Sequence, residues 1–338
     1  MNAKRPRLFP RGAVLLCLLA CLAASGGCVY VSGRGLFESR TRPLEESVLY
    51  GRGKDKILLV DVNGLISDQK RQGVFSLKTE PSLVASVKEQ LDEASRDDRI
   101  KGLVLKIDSP GGTVTASDVL YHEIRKFREK RKVKVVALFM DTAASGAYYA
   151  AMAADRVIAL PTSVTGSIGV VLLNVNLYGL MEKIGVSNQT IKSGPYKDLG
   201  SPLRPPEPGE RQILQAVVDD LYHRFRLVVE QNRKGLDLTR HPELADGRVF
   251  TADQALEAGL VDQIGYFPDA VDWIRQEMGI AEAQVVVYKR EGAHRPNIYA
   301  QGELGLASGT EINLIKLDLE GQLFGGGPVF MYLWQPGL

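Results

Sequence analysis

Cysteine is almost absent from this chain, and its distribution is uneven. The 338 residues include three cysteines, Cys17, Cys21 and Cys28, and none follows residue 28. A thiol nucleophile, a cysteine-ligated zinc site and a disulfide framework are therefore excluded from the rest of the chain. Histidine is also scarce, with four residues in the whole sequence.

An excess of charge of one sign is missing as well. The chain has 42 basic and 40 acidic residues, for a formal net charge of +2. This balance argues against a nucleic-acid-binding protein that is driven by attraction to phosphates. Hydrophobic residues make up 45% of the chain, which is enough for a folded core and excludes a disordered class.

The first 31 residues have the pattern of an export signal. Four basic residues within positions 1–11 precede the apolar run 13–24, and small residues lead from that run to Cys28. Three alternatives stay open. In the first, residues 13–31 are uncleaved and span the bilayer; in the second, Cys28 carries a lipid at a site that resembles a bacterial lipobox; in the third, the signal is cleaved and the protein is released. Each alternative predicts that the rest of the chain lies outside the cytoplasm.

Composition divides the rest of the chain into three parts. Residues 32–55 mix glycine and charge, which is typical of a linker between membrane and domain. Residues 56–284 form the expected main domain. Residues 285–338 form a C-terminal extension, glycine-rich over 302–327. That extension either supplies an edge strand and an arm between subunits or packs loosely.

The main domain alternates apolar runs with amphipathic segments. Strands are predicted over 56–62, 102–107, 133–140, 156–160 and 168–173, and helices over 81–94, 117–130, 145–154, 177–183 and 208–233. Pro208 is placed near the first turn of the last of these helices, and Thr251 and Gly259 are predicted to start and stop a further one. This alternation predicts an α/β fold whose parallel sheet is covered by helices on both faces.

Two turns follow predicted strands and could stabilise an oxyanion. The first is Ser109-Pro110-Gly111-Gly112, where paired glycines let backbone N–H groups approach a ligand. The second carries Ser145 and Gly146 at a junction of strand and helix, where free N–H groups favour negative charge. Such a serine could be a nucleophile, although an ordinary turn and an ordinary N-cap serine explain the same residues.

A serine nucleophile needs a base, and histidine is the usual one. His122 and His223 lie in predicted amphipathic helices and are more typical of surface positions, although a triad could assemble from distant segments. Lys197 is the stronger candidate, because a lysine buried in an apolar pocket can be neutral. Ser167 could orient its amine, and Lys192 is a rival base.

Five segments together resemble the bacterial signal peptide peptidase family in its short single-domain form. They are IDSPGG (107–112), DTAASGAYYAAMAADRVIA (141–159), TGSIGV (165–170), SGPYKDLGSPLR (193–204) and ADGRVFTADQALEAGLVDQIG (245–265). The resemblance extends from about residue 56 to about residue 285. It implies the ClpP/crotonase fold, a spiral of ββα units, here behind an N-terminal membrane segment.

The resemblance also implies a role for each motif residue. Ser145 is the nucleophile, Lys197 the general base and Ser167 the residue that holds the lysine amine. Gly111 or Gly112, with Gly146, supplies the oxyanion hole. No metal or other cofactor is implied. Family members form homo-oligomeric rings or domes, in which the serine and lysine can come from neighbouring subunits.

The function implied is serine endopeptidase activity on cleaved signal peptides and other short apolar peptides. The expected location is the bacterial inner membrane, with the catalytic domain on the extracytoplasmic side and no nucleic-acid partner. Two alternatives remain open on the same fold: a crotonase-like acyl-CoA hydratase or isomerase, and a non-catalytic membrane scaffold. The export signal argues against the first, since CoA is cytoplasmic, and the serine and lysine argue against the second.

Overall fold

The computed structural model describes residues 43–69, 71–72, 79–290, 293–300, 303–304 and 329–334. The expected membrane segment, Cys28 and the alternating apolar stretch at 312–319 lie outside these residues. Among the residues that are described, no helix has the length and apolar character needed to cross a bilayer.

Sixteen strands and seven α-helices make up the described part of the chain. The strands are β1 Leu44–Gly51, β2 Asp55–Asn63, β3 Arg71–Gln72, β4 Thr79–Glu80, β5 Ile100–Ser109, β6 Gly111–Thr113, β7 Lys134–Ala144, β8 Arg156–Ala159, β9 Val164–Gly166, β10 Val171–Leu173, β11 Val249–Thr251, β12 Gln263–Ile264, β13 Ala283–Arg290, β14 Ala293–His294, β15 Glu303–Leu304 and β16 Val329–Leu333. The helices are α1 Leu83–Ala94, α2 Val114–Arg131, α3 Gly146–Ala151, α4 Tyr178–Lys183, α5 Glu210–Asn232, α6 Ala252–Glu257 and α7 Phe267–Met278, with a 3₁₀ turn at Pro242–Ala245.

A central sheet in the order β1-β13-β2-β5-β7-β8-β12 organises the domain. Its pairs from β13 to β12 are parallel, β1 is antiparallel at one edge, and β9 extends the end of β7 in parallel. The predicted α/β class with a parallel sheet is confirmed. Along the chain, β5, β6 and α2 form one ββα unit.

Both faces of the sheet are buried, as the continuous apolar strands predicted. On β2, Leu58 and Val60 face a core shared with α1, α2, α3 and α5, while Ile57 and Leu59 face a second core shared with α7. All four side chains are fully buried. Because successive residues of a strand point to opposite faces, a strand that is covered on both sides has to be apolar throughout.

Two segments expected outside the main domain contribute strands to its sheet. β1 lies within the range expected as a linker, and it pairs antiparallel with β13 from Leu44↔Arg290 to Gly51↔Gln284. β13 in turn crosses the expected boundary at residue 284 and pairs in parallel with β2. Short charged edge strands have weak sequence signals, because one face of β1 is solvated and its apolar pattern is interrupted.

Helix ends follow the predicted signals in one case and differ in another. Thr251 caps α6 through a capping box with Gln254, and Gly259 follows its last turn with φ +73°, as expected. α5 begins at Glu210 with Gly209 as its cap, so Pro208 precedes the helix rather than occupying its first turn.

Gly102 is a sensitive position in the middle of the sheet. A Cβ there would overlap the Cγ2 atom of Ile274 on α7. We expect Gly102→Ala to lower the free energy of unfolding by about 1–3 kcal/mol, measured by urea denaturation, because an overpacked core has to shift. In a double-mutant cycle with Ile274→Ala, the two losses should sum to more than the loss of the double variant. Strict additivity would contradict this contact.

Candidate active site

Ser145 lies in a strained turn between β7 and α3. Its backbone has φ +53° and ψ −115°, a conformation that L-residues rarely adopt, and its N–H donates to the Gly166 carbonyl at 2.8 Å. Such strain costs about 1–3 kcal/mol and persists where the surroundings impose it, often at functional sites. Within the described part of the chain, the buried Ser145 Oγ has no hydrogen-bond partner.

Ser167 lies beside Ser145 in an equivalent position. β9 pairs in parallel with the end of β7 so that Gly166 lies opposite Ala144, and each serine follows one member of that pair. Ser167 has φ +50°, is 6% exposed, and donates its N–H to the Arg248 carbonyl at 2.7 Å. Among the described residues other than glycine, Ser145 and Ser167 are two of three with positive φ.

The two glycines after Pro110 are not equivalent. The Gly111 N–H donates to Ser109 Oγ at 3.1 Å, whereas Gly112 lies in β6 close to the start of α3. A Cβ placed on Gly146 would be 3.1 Å from the Gly112 nitrogen, so the backbones of Gly112 and Gly146 converge. The Gly111 N–H is thus engaged within its own turn, and the Gly112 backbone, which pairs with Tyr332 of β16, lies beside Gly146.

The first two residues of β6, Gly111 and Gly112, both have to be glycine because other backbone atoms approach them closely. A Cβ on Gly112 would overlap the Ile66 carbonyl oxygen, and Gly111 has φ +106°. The Ile66 N–H donates to the Gly111 carbonyl at 2.8 Å, and the Thr113 N–H donates to the Ile66 carbonyl at 3.0 Å. No sequence pattern indicated Ile66, because it acts through its main chain. Ser109 lies in the IDSPGG segment, but the motif alone did not show that its hydroxyl accepts the Gly111 N–H.

Lys197 lies apart from these groups in the single chain. Its side chain is exposed, and its N–H closes a turn onto the Gly194 carbonyl at 3.2 Å. The described residues do not form the apolar pocket that was expected around it. Since Ser145 Oγ has no partner, no lysine amine among the described residues lies within hydrogen-bond distance of it.

Two family models match the chain across this site. The model described as Peptidase family S49 matches residues 127–281, which include Ser145, Ser167 and Lys197, and the model described as Clp protease matches residues 68–165. A protein of Enterococcus faecium named as a signal peptide peptidase SppA is 37% identical over 76% of this chain and 73% of its own length. The chain belongs to peptidase family S49.

Two further relatives of the chain are named as proteases. A protein of Synechocystis named as a protease is 42% identical over 67% of this chain and 76% of its own length. The chloroplastic serine protease SPPA of Arabidopsis thaliana is 34% identical over 68% of this chain and 33% of its own length. The present chain is accordingly a serine peptidase, and its mixed α/β fold agrees with the match to Clp protease.

The rival lysine of this S49 peptidase is fully engaged elsewhere. Lys192 Nζ donates to the Pro195 carbonyl at 2.9 Å, to Asp198 Oδ1 at 2.9 Å and to Glu207 Oε1 at 2.7 Å. Hydrogen bonds that the ammonium donates to Glu207 and Asp198 hold its pKa above its ordinary value. A group kept protonated in this way cannot accept a proton from serine.

An ion-pair network holds the segment on which Lys197 lies. Arg204 binds Asp198 with two bonds of 2.8 Å and also pairs with the buried carboxylate of Glu210. The guanidinium, followed by Lys192, holds the pKa of Asp198 well below its usual range. Bidentate arginine pairs fix geometry as well as charge. The network therefore fastens the residue next to Lys197 to the start of α5.

Among the described side chains, no histidine lies within hydrogen-bond distance of Ser145 Oγ. His122 on α2 and His223 on α5 are exposed, as the sequence predicted for surface positions. His241 is also exposed and lies 3.3 Å from Glu243. The side chain of His294 lies outside the described residues. Asp108, near the glycine turn, has its pKa raised by burial and accepts the Thr142 N–H at 3.2 Å.

Matched arginine variants distinguish Lys192 from Lys197 as the general base. Arginine stays protonated, so it preserves an ion pair but cannot act as a base. We expect Lys192→Arg to retain at least about half of the peptidase activity on a fluorogenic peptide, with the pH profile unchanged, since charge pairing survives. Lys197→Arg should be inactive. The opposite result would make Lys192 the base.

Proposed function

We propose that this S49 peptidase hydrolyses peptide bonds with Ser145 as nucleophile and Lys197 as general base. The observation that carries the proposal is the geometry of Ser145. Its strained backbone presents a hydroxyl that has no hydrogen-bond partner among the described residues, close to where the Gly112 and Gly146 backbones converge. In this proposal Ser145 is the nucleophile, Gly112 and Gly146 are the oxyanion donors, and the base comes from another subunit.

Each step of the mechanism has a named group. Neutral Lys197 takes the proton of Ser145 as the hydroxyl attacks the substrate carbonyl. The oxyanion accepts hydrogen bonds from Gly112 and Gly146, and the protonated lysine then transfers its proton to the leaving amine. Water, deprotonated by the same lysine, hydrolyses the acyl-enzyme and regenerates both side chains. Ser167 orients the lysine amine.

We propose that Lys197 reaches Ser145 of a neighbouring subunit in a homo-oligomer. Helix α4 has no buried residue, and the segment 175–196 around it exposes apolar side chains. These are Val175, Leu180, Ile184, Val186, Ile191 and Tyr196, each between 47% and 98% exposed. An apolar surface of this kind is typical of a protein interface. A second copy that covered it would also surround Lys197 with apolar groups.

The substrates we propose are cleaved signal peptides and similar short apolar peptides at the membrane. The export signal in residues 1–31 and the name of the Enterococcus relative support this class and an extracytoplasmic location. The acyl-CoA alternative has no support from the two family models or from the three relatives described above, all of which are named as proteases or peptidases. A non-catalytic scaffold would not explain why Ser145 is held in a strained backbone conformation.

Replacement of the nucleophile is the direct test. Ser145→Ala should lower kcat on a fluorogenic peptide at least about a thousandfold, because the covalent route is lost while the fold is kept. Ser163→Ala, which removes another buried hydroxyl, is the matched control and should remain active. Gel filtration should give the same assembly for all three proteins. Full activity in Ser145→Ala would refute the assignment.

Sharing of the site between subunits can be tested by complementation. Ser145→Ala and Lys197→Ala should each be inactive, whereas equal amounts co-refolded should recover about a quarter of wild-type activity, if each site joins two neighbours in a head-to-tail ring. The control mixture pairs Ser145→Ala with the double variant and should stay inactive. No recovery in the first mixture would place both residues in one subunit.

A further inference from the structure

Strand β7 changes its partner shortly before Ser145. It pairs with β8 as far as Phe139, whereas its last three residues, from Thr142 to Ala144, pair with β9. The turn that carries Ser145 therefore continues from the second pairing and not from the first. Whatever fixes the change of partner also fixes where Ser145 is placed.

A bulge in β7 lies at this change of partner. On the other side of β7, strand β5 loses its register after Ile107 and resumes pairing at Ser109↔Ala143. One residue of β5, Asp108, therefore lies opposite three residues of β7, at positions 140–142. The extra residues interrupt the regular pairing, so the backbone polar groups of the bulge need other partners. Bulges are common next to active sites, where they redirect the side chains that follow.

The side chain of Asp108 holds the bulge. Its Oδ1 accepts the Thr142 N–H at 3.2 Å, so the last residue of the bulge is bound to β5 although the strand pairing is interrupted there. The main chain of Asp108 is itself held by β2, because it pairs with Asn63 and its carbonyl accepts the Gly64 N–H at 2.9 Å. Asp108 is therefore a fixed point of the sheet from which β7 is positioned.

The same residue begins the glycine turn. Asp108 is followed directly by Ser109 and the turn at 110–112, and Thr142 lies three residues before Ser145. The bond between Asp108 and Thr142 thus joins the segment that leads to the glycines with the segment that leads to the nucleophile. Because a slip of one residue turns successive side chains of a strand to opposite faces, a change in the length of the bulge would move Ser145 relative to the glycines.

We propose that Asp108 is a positioning residue for the nucleophile, whose side-chain oxygen fixes the bulge in β7 and so places the Ser145 turn beside the glycine turn. This inference rests on the proposed function, in which Ser145 attacks the substrate. The role requires an acceptor atom at this place and not a negative charge. Burial raises the pKa of the Asp108 carboxyl, and the charge of Asp141 adds to the rise, so the site disfavours the charged form. A neutral amide oxygen should therefore serve equally well.

Three substitutions separate the position of the oxygen from its charge. Asp108→Asn keeps an oxygen in place without the charge, Asp108→Glu keeps the charge but moves the oxygen by one methylene, and Asp108→Ala removes both. We expect Asp108→Asn to retain at least about half of the wild-type kcat on a fluorogenic peptide. Asp108→Glu and Asp108→Ala should lose about tenfold to a hundredfold in kcat, with KM within about twofold of wild type, because the nucleophile is misplaced. Asp141→Ala, which removes an exposed carboxylate from the bulge itself, is the matched control and should remain active.

The kcat values are counted per reactive serine, so that misfolded protein does not enter the comparison. Titration to completion with a fluorophosphonate, mapped to Ser145, gives the number of sites, and gel filtration checks the assembly. Amide hydrogen exchange is a second readout that needs no turnover. Peptides that cover residues 140–144 should exchange at least about tenfold faster in Asp108→Ala than in Asp108→Asn, because the Thr142 N–H has lost its acceptor.

The outcomes separate the inference from the proposed function. Wild-type kcat in Asp108→Ala, or an Asp108→Asn variant as impaired as Asp108→Ala, would overturn the positioning role and leave Ser145 as the nucleophile. If Asp108→Ala does not fold, a higher kcat in Asp108→Glu than in Asp108→Asn would overturn it in the same way. A wild-type enzyme that turns over peptide without a labelled Ser145 would remove the proposed function, and the positioning role with it.

Discussion

The parallel pairing of β7 with β9 is the interaction on which the site depends. It places Ala144 opposite Gly166, and the bond from the Ser145 N–H to the Gly166 carbonyl closes the pair at its end. Both following residues are then held with positive φ. Without this pairing, nothing would impose the strain at Ser145, and its hydroxyl would relax toward an ordinary N-cap position. The sheet therefore holds the strained conformation of Ser145.

The central sheet was largely predictable from the sequence, for a physical reason. Strands that are buried on both faces have to be apolar throughout, so β2, β5 and β7 were all indicated by continuous apolar runs. β1 and β16 were not, because each depends on partners more than 150 residues away. Local pattern carries little information about pairing over such distances.

The site was predictable in its residues but not in its arrangement. The motif residues Ser145, Ser167 and Gly112 come together as the resemblance implied, although their roles remain proposals. Lys197 does not lie beside them, because its side chain is exposed in this chain. A short motif does not show which other surface contacts an exposed lysine. Lys192, five residues away in the same segment, has three bonds that no motif records. Only the structure distinguishes the two.

The β6 edge binds its partner strand through main-chain groups, and this has a consequence for selectivity. Hydrogen bonds to a strand repeat every two residues, so a peptide that slides by two positions meets the same donors and acceptors. On β16, the Tyr332 ring, which packs against Tyr149 and Phe225, is the contact that fixes one register of the pairing. The main-chain bonds on either side of this ring accept any sequence, so a single buried side chain sets the alignment of the whole strand.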